Sequence, residues 1–248
     1  MSEPGHDDDL DVVALAEQRY ADWPDGVRAN MVMSLDGAAV FRGKVRPLSS
    51  RADQRLFHAL RAMADVILVG AGTARVERYG PAVLDDELTA LRKRQLGPSA
   101  TAAPRIAMVT RTCSVPSSSP AMASGPRPLV ITTERADTTS VAEHADVIAT
   151  GDGEIDFAEA LGELRARGFR RILCEGGPTL LAALTTAGLV EELCLTLAPV
   201  LTAEPAGAGL AAAPQDASLL PVPVRAKLLH SVAHDDYLFL RYVTRGSS

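Results

Sequence analysis

The sequence predicts an α/β fold: a central, mostly parallel sheet with helices on both faces and an antiparallel C-terminal hairpin. Three observations carry this. Short apolar runs alternate with amphipathic stretches from residue 27 onward, the pattern of a sheet covered on both sides. Two of the runs, DVILV and RRILC, end in glycine-rich turns that lead straight into helix-like segments. The last two runs, 227–233 and 237–243, are separated only by His234, Asp235 and Asp236, the spacing of a hairpin.

The elements follow in order. Residues 1–26 form an acidic tail with one or two amphipathic helical turns in DVVALAEQRYADW. Residues 27–33 (VRANMVM) form the first strand. Residues 51–64 form a helix with Leu56, Leu60 and Met63 at helical spacing. Residues 65–69 form a buried strand, and 85–95 a helix. Strands are expected at 105–110 and 128–133. A weak helix ends at 141–145, before a short strand at 146–150. An amphipathic helix over 155–167 stops at Gly168. A strand at 171–174 leads to a helix at 178–187, with Pro178 at its first position and Gly188 behind it. Residues 191–200 form the last strand before the hairpin. Stretches rich in Pro, Gly, Ser and Ala at 97–104, 113–128 and 203–223 read as surface loops, and the last is long enough for a flap. Residues 27–248 therefore form a single domain.

Composition excludes several classes. Of 248 residues, 47% are hydrophobic and 23% charged, which is ordinary for a globular chain and rules out disorder. Of the 31 acids five lie in residues 1–11, leaving 26 against 25 Lys and Arg. So balanced a body has no footprint for nucleic acid or an anionic membrane, and the expected partner is a small molecule. No apolar stretch is long enough to span a bilayer, and no signal-peptide pattern opens the chain. Cys113, Cys174 and Cys194 lack metal-type spacing and suit a reducing cytoplasm. The five histidines are scattered, so no metal is expected, and His58 reads as structural.

Four segments carry chemistry. Val69-Gly70-Ala71-Gly72-Thr73 follows a strand, where glycines let free amides approach a phosphate. It departs from GxGxxG, because Arg75 stands at the third glycine position. Glu175-Gly176-Gly177-Pro178-Thr179 repeats the strand–glycine–helix arrangement, which suggests one extended ligand crossing both turns. Ser34-Leu35-Asp36-Gly37 reads by itself as a turn. Asp53 stands in the first turn of its helix, where the dipole favours an acid.

In this order, RANMVMSLDG, LSSRADQRLFHALRAMADVILVGAGT, LCEGGPTLL and ELCLTLAPVL resemble the RibD C-terminal reductase family of riboflavin biosynthesis, over roughly residues 27–243. The resemblance implies a dihydrofolate-reductase-like fold, NADPH as cofactor, and a homodimer. With no zinc-deaminase motif in the chain, a stand-alone reductase is expected. Carried over residue by residue, it places the cofactor at Ser49, Val69, Gly70, Ala71, Gly72, Thr73, Thr110, Arg111, Gly176, Gly177 and Thr179. It places Asp36 and Glu175 as catalytic groups and Asn30, Ser34, Asp53, Arg75, Glu77 and Arg78 on the substrate. The family usually has Lys where this chain has Asn30, and its Asp-Pro-Leu run after the glycine loop is replaced here by Ala74–Pro81. The implied reaction is NADPH-dependent reduction of 5-amino-6-(5-phosphoribosylamino)uracil to the ribitylamino product. The alternatives are a dihydrofolate or pteridine reductase on the same fold and a silent NADP-binding relative.

Overall fold

A computed structural model describes residues 10–116, 118–205, 209–210 and 223–244. Residues 1–9 of the acidic tail and most of the 203–223 stretch lie outside them. Among the described residues the strands are β1 (Gly26–Ser34), β2 (Val66–Gly70), β3 (Arg105–Val109), β4 (Leu129–Thr132), β5 (Asp146–Ala149), β6 (Arg171–Cys174), β7 (Val190–Ala198), β8 (Lys227–His234) and β9 (Tyr237–Val243). The helices are α1 (Val12–Arg19), α2 (Arg51–Met63), α3 (Ala71–Val76), α4 (Asp86–Leu96), α5 (Pro120–Ala123), α6 (Thr139–Ala142), α7 (Phe157–Ala166) and α8 (Pro178–Thr186).

The strands form one sheet in the order β5-β4-β3-β2-β6-β1-β7-β9-β8. Every pairing from β5 to β7 is parallel, and the β8–β9 hairpin closes the edge antiparallel. The expected α/β class, parallel sheet and terminal hairpin are therefore all present. The strand 191–200 is not an edge: β7 is held by β1 and β9, and the bare edge beyond the hairpin is β8.

Alternation buries both faces of the parallel strands. In β2, Val66 and Leu68 pack under α7 and α8 with Leu161, Leu164 and Leu181. Ile67 and Val69 face the opposite side, with Val69 against Met108 and Val130. Leu56, Leu60 and Met63 of α2 pack with α1, α4 and Phe239 of β9. The helix at 51–64 starts where expected because the Ser50 side chain accepts from the Asp53 N–H, an N-cap. One short helix, α5, falls in the 113–128 stretch that reads as a surface loop, and α3 begins in the glycine turn after β2.

The N-terminal segment is part of the core from α1 onward. Arg28 of β1 is fully buried. Its Nε donates to Glu192 Oε2 at 2.6 Å, its Nη1 donates to the Tyr20 carbonyl at 2.8 Å, and its guanidinium lies 4.1 Å from the Trp23 ring centroid. Arg241 of β9 reaches the other oxygen of Glu192 at 2.5 Å and Asp22 at 2.6 Å. One carboxylate thus joins β1, β7 and β9 to the chain leaving α1. Removing it would leave the buried Arg28 guanidinium with no carboxylate and Arg241 with Asp22 alone, and breaking a buried pair costs about 3–5 kcal/mol. Glu192→Ala is expected to lower the unfolding free energy measured by urea titration by that order, whereas Glu163→Ala, in an exposed pair, leaves it nearly unchanged.

Candidate active site

The turn after β2 and the turn after β6 meet at the carboxyl ends of adjacent parallel strands, where open α/β sheets bind ligands. The Glu175 N–H donates to the Leu68 carbonyl at 3.0 Å, and the Gly70 N–H to the Gly176 carbonyl at 2.8 Å. Glycine is required here. Gly176 has φ +82°, and a Cβ at Gly177 would run into the Thr73 hydroxyl. The Gly176–Gly177 peptide is cis.

Two chambers flank this contact. The first, about 770 Å³, is lined by Gly70, Ala71, Gly72, Thr73, Thr110, Arg111, Gly177 and Thr179. Its far rim carries an exposed Arg111–Glu154 pair at 2.8 Å, a weak contact that a ligand phosphate can displace. The second, about 740 Å³, is lined by Asn30, Ser49, Asp53, Arg61, Glu77, Arg78, Tyr79, Glu175 and Gly176. Gly72, Thr73, Gly177 and Pro178 belong to both, so ligands in the two chambers would touch.

Asp53, Phe57 and Arg61 lie four residues apart, on one face of α2, and all line the second chamber. Ser49 Oγ donates to Asp53 Oδ2 at 2.6 Å. Burial pushes the Asp53 carboxyl up, and hydrogen bonds from Ser49 and Thr196 pull part of it back. Arg61 donates through Nε and Nη2 to the two oxygens of Glu175, both at 2.7 Å. The Phe57 ring centroid is 4.1 Å from that guanidinium and the Tyr79 ring centroid 5.2 Å. Burial would pull Arg61 down; the Glu175 charge and the hydrogen bonds outweigh it and hold the guanidinium up. Burial, reinforced by the Glu175 charge, pushes the Tyr79 hydroxyl well above its usual value.

Several sequence expectations are corrected. Asp36 is exposed and outside both chambers. Its carboxylate accepts from Ser34 Oγ at 2.5 Å and from the N–H groups of Thr202 and Ala203 at 3.0 and 2.7 Å. Those bonds push it down to about 2, so it ties a turn together and has no proton to give near neutrality. Ser34 is buried behind it and lines neither chamber. Val69 is fully buried in the core. Arg75 points away to the Ser114 carbonyl at 3.1 Å and lines a separate cavity of about 140 Å³. Ser49 lines the second chamber rather than the first. Glu175 is in place, but with both oxygens engaged by Arg61 it acts as a fixed counter-charge of the wall. His58, read as structural, also lines the second chamber; burial lowers its pKa. Sequence reasoning missed Arg61, Phe57 and Tyr79. The four-residue spacing from Asp53 held the signal for the first two.

The family model of the RibD C-terminal domain matches residues 26–238, across both chambers. The chain belongs to that family. A RibD-family relative from Archaeoglobus fulgidus, named 2,5-diamino-6-ribosylamino-4(3H)-pyrimidinone 5′-phosphate reductase, is 31% identical over 179 residues, 70% of this chain and 80% of the relative. The like-named protein of Methanothermobacter thermautotrophicus is 27% identical over 175 residues, 69% of this chain and 76% of that one. Among solved structures, a pyrimidine reductase-like protein of Corynebacterium diphtheriae is 27% identical, with a TM-score of 0.76 over 94% of this chain and 95% of that one. A riboflavin biosynthesis reductase of Saccharomyces shares the fold, at a TM-score of 0.63, 18% identity and 90% coverage of both chains.

Among the described residues no three His, Cys, Asp or Glu side chains are grouped to hold a metal, and no helix is long and apolar enough to cross a membrane.

The buried carboxyl of Asp53 gives a pH test of its own. A raised folded pKa adds stability below the unfolded value, near 3.9, and that stability is lost as pH rises through the folded value. Asp53→Asn should therefore melt higher than the parent at pH 7, by about 2–4 °C per kcal/mol for a chain of this size, and the gap should close by pH 4.

Proposed function

We propose that this protein is an NADPH-dependent reductase of a phosphoribosylated aminopyrimidine. The observation that carries the reading is the pair of chambers meeting at Thr73 and Gly177, one walled by glycine turns and one by side chains. The glycine side fits a dinucleotide. Backbone at Gly70 and Gly177 can approach a diphosphate with no Cβ in the way, and the start of α8 at Pro178 directs its dipole toward it. Arg111, at the rim, suits the 2′-phosphate that distinguishes NADPH from NADH. When bound, NADPH would supply the hydride, from nicotinamide C4 to C1′ of the ribosyl group.

The second chamber supports the substrate side. Asp53 offers two acceptor oxygens to the edge of an amino-pyrimidinone. Of the candidate rings, the 2-amino form named for the archaeal relatives gives that carboxylate two donors, and the uracil gives it one donor beside an oxo group. Asn30 of β1 stands one residue beyond the Ala29–Cys174 pair and so beside Glu175, where a neutral amide can hold a ribose hydroxyl. With Arg61 paired, Arg46 and Arg78 are the chamber's remaining guanidinium groups, and they take over the phosphate role expected of Arg75. Glu77, which accepts from the Val45 N–H at 3.4 Å, keeps that wall closed. The protein's part is alignment of the two ligands, an effect worth several orders of magnitude when the geometry is correct.

Dihydrofolate is the second reading, because a buried carboxylate on the helix after the first strand suits a pteridine's amino-pyrimidine edge equally well. Three buried free thiols suit a reducing compartment such as the cytoplasm. The homodimer of the family would form across β8, whose Leu228 and Leu229 are 46% and 42% exposed on a bare edge.

NADPH oxidation should be followed by absorbance with the diamino-pyrimidinone phosphate, the uracil phosphate and dihydrofolate offered in parallel. Turnover of the phosphorylated pyrimidines with no turnover of dihydrofolate is expected. Turnover of dihydrofolate alone, blocked by diaminopyrimidine antifolates, would establish the second reading. NADPH binding without any turnover would mean a silent relative. In the active protein, Arg46→Ala should raise the substrate KM about tenfold, the loss of roughly one charge-assisted contact, and leave the KM for NADPH unchanged.

A further inference from the structure

Arg61 belongs to no part of the glycine turns and carries none of the contacts assigned above to substrate or cofactor. It is nevertheless the most strongly engaged charge in the cleft. Its side chain is 10% exposed and that of its partner Glu175 is 1% exposed. Its two bonds at 2.7 Å form a bidentate fork, which fixes orientation as well as distance. Phe57 stacks on it within α2, and Tyr79 closes it from the chain that follows α3.

Glu175 is the residue before Gly176 and Gly177. That dipeptide has no side chains to hold it, and one of its members, Gly176, needs positive φ. The Gly176 carbonyl accepts from the Gly70 N–H and the Gly177 carbonyl from the Leu181 N–H, Met31 and Thr73 lie against the two glycines, and the charged group that leads into them is the Glu175 carboxylate. Gly177 belongs to both chambers. A rotation of Glu175 would therefore move the surface on which the two ligands meet. α2 also carries Asp53, eight residues before Arg61 and on the same face. One rigid helix thus bears both the group expected to hold the pyrimidine and the group that holds the cofactor wall.

We propose that Arg61 is a positioning residue for hydride transfer: its fork on Glu175 sets the Gly176–Gly177 wall relative to Asp53. The distance between the two reacting carbons is thereby referred to a single helix. The inference rests on the reductase reading, and its test separates the two. A buried pair can also be merely structural. A structural role would appear as lost stability and lost binding together. A positioning role leaves cofactor affinity, which resides in the glycine turns, and removes rate. A displacement of about 1 Å at a reacting centre can cost about 100-fold.

The variants are Arg61→Lys, Arg61→Met and the double variant Arg61→Met/Glu175→Gln. Three quantities are read for each: the melting temperature, the dissociation constant and emission spectrum of bound NADPH without substrate, and kcat with each KM. Arg61→Met is expected to lose about 100-fold in kcat, with NADPH affinity within about threefold of the parent. Arg61→Lys, which keeps the charge and loses the fork, should fall between. The double variant should recover the melting temperature, because it leaves no buried charge unpaired, but not kcat. A kcat for Arg61→Met within threefold of the parent overturns the proposal. So does a loss of NADPH binding that parallels the fall in melting temperature. If the parent binds NADPH but turns over no substrate, the substrate reading has failed and the spectrum decides. A shifted nicotinamide emission in Arg61→Met, reduced in Arg61→Lys, sustains the positioning role, and an unshifted one overturns it. A parent that does not bind NADPH overturns both.

Discussion

The close approach of the turns after β2 and β6 is the constraint on which the site depends. Two parallel strands with consecutive registers bring Gly70 against Gly176 and Thr73 against Gly177. A side chain at either turn would fill the gap. Because none is there, backbone walls the cleft on both sides and divides it at one point. The strand order explains why the division falls here. The chain runs outward through β2, β3, β4 and β5, then returns to insert β6 between β2 and β1. The turns on either side of that reversal lead away from each other and leave a crevice between them. The chemistry follows from topology first and from side chains second.

Side chains then do what backbone cannot. Two buried carboxylates, Glu192 and Glu175, each bind arginine brought from a distant segment. A buried ion pair adds little net stability, since desolvating both charges offsets most of the attraction. Its effect is on specificity of arrangement. Glu192 selects one seating of the N-terminal segment on the hairpin edge. Glu175 selects one orientation of a glycine segment that would otherwise have many. In both cases a buried carboxylate whose partners stand at fixed places disfavours the neighbouring registers.

How much of this was legible in the sequence depended on the range of the signal. Residues 171–174 read as a strand and are one, because Ile172, Leu173 and Cys174 are apolar and buried on both faces. The helix from residue 51 was readable from its cap and its spacing. Of helix α3 only the start after the glycine turn was readable and not its extent, because Ala-Gly-Thr-Ala-Arg-Val has no amphipathic period and contains Gly and Thr, which have poor helix propensity. The SLDG motif reads by itself as a turn and the family resemblance alone implies a catalytic Asp36, whose partners at 202–203 lie more than 160 residues away, beyond the reach of local pattern. Asp53, placed by helix position, is where it was expected. Arg61 was two turns further along the same face, and the pairing that gives it meaning comes from the far side of the chain.

The two chambers therefore differ in how they can change. The first is walled on one side by backbone of two glycine turns, where a substitution at Gly176 meets a conformational penalty and one at Gly177 a steric one before either meets a functional one. Its ligand is fixed by shape. The second is lined by side chains of β1, α2, the chain after α3 and the turn after β6, and of these Arg61 and Glu175 are tied to the glycine wall. Asn30 and the run from Ala74 to Pro81, where this chain departs from the pattern its sequence otherwise resembles, both fall on the second chamber or its border. A reductase of this construction can keep its reductant while its substrate drifts. Under the proposed reading the limit on that drift would be α2, whose one face would have to place both an acceptor for the ring and a fork for the wall, about two helical turns apart.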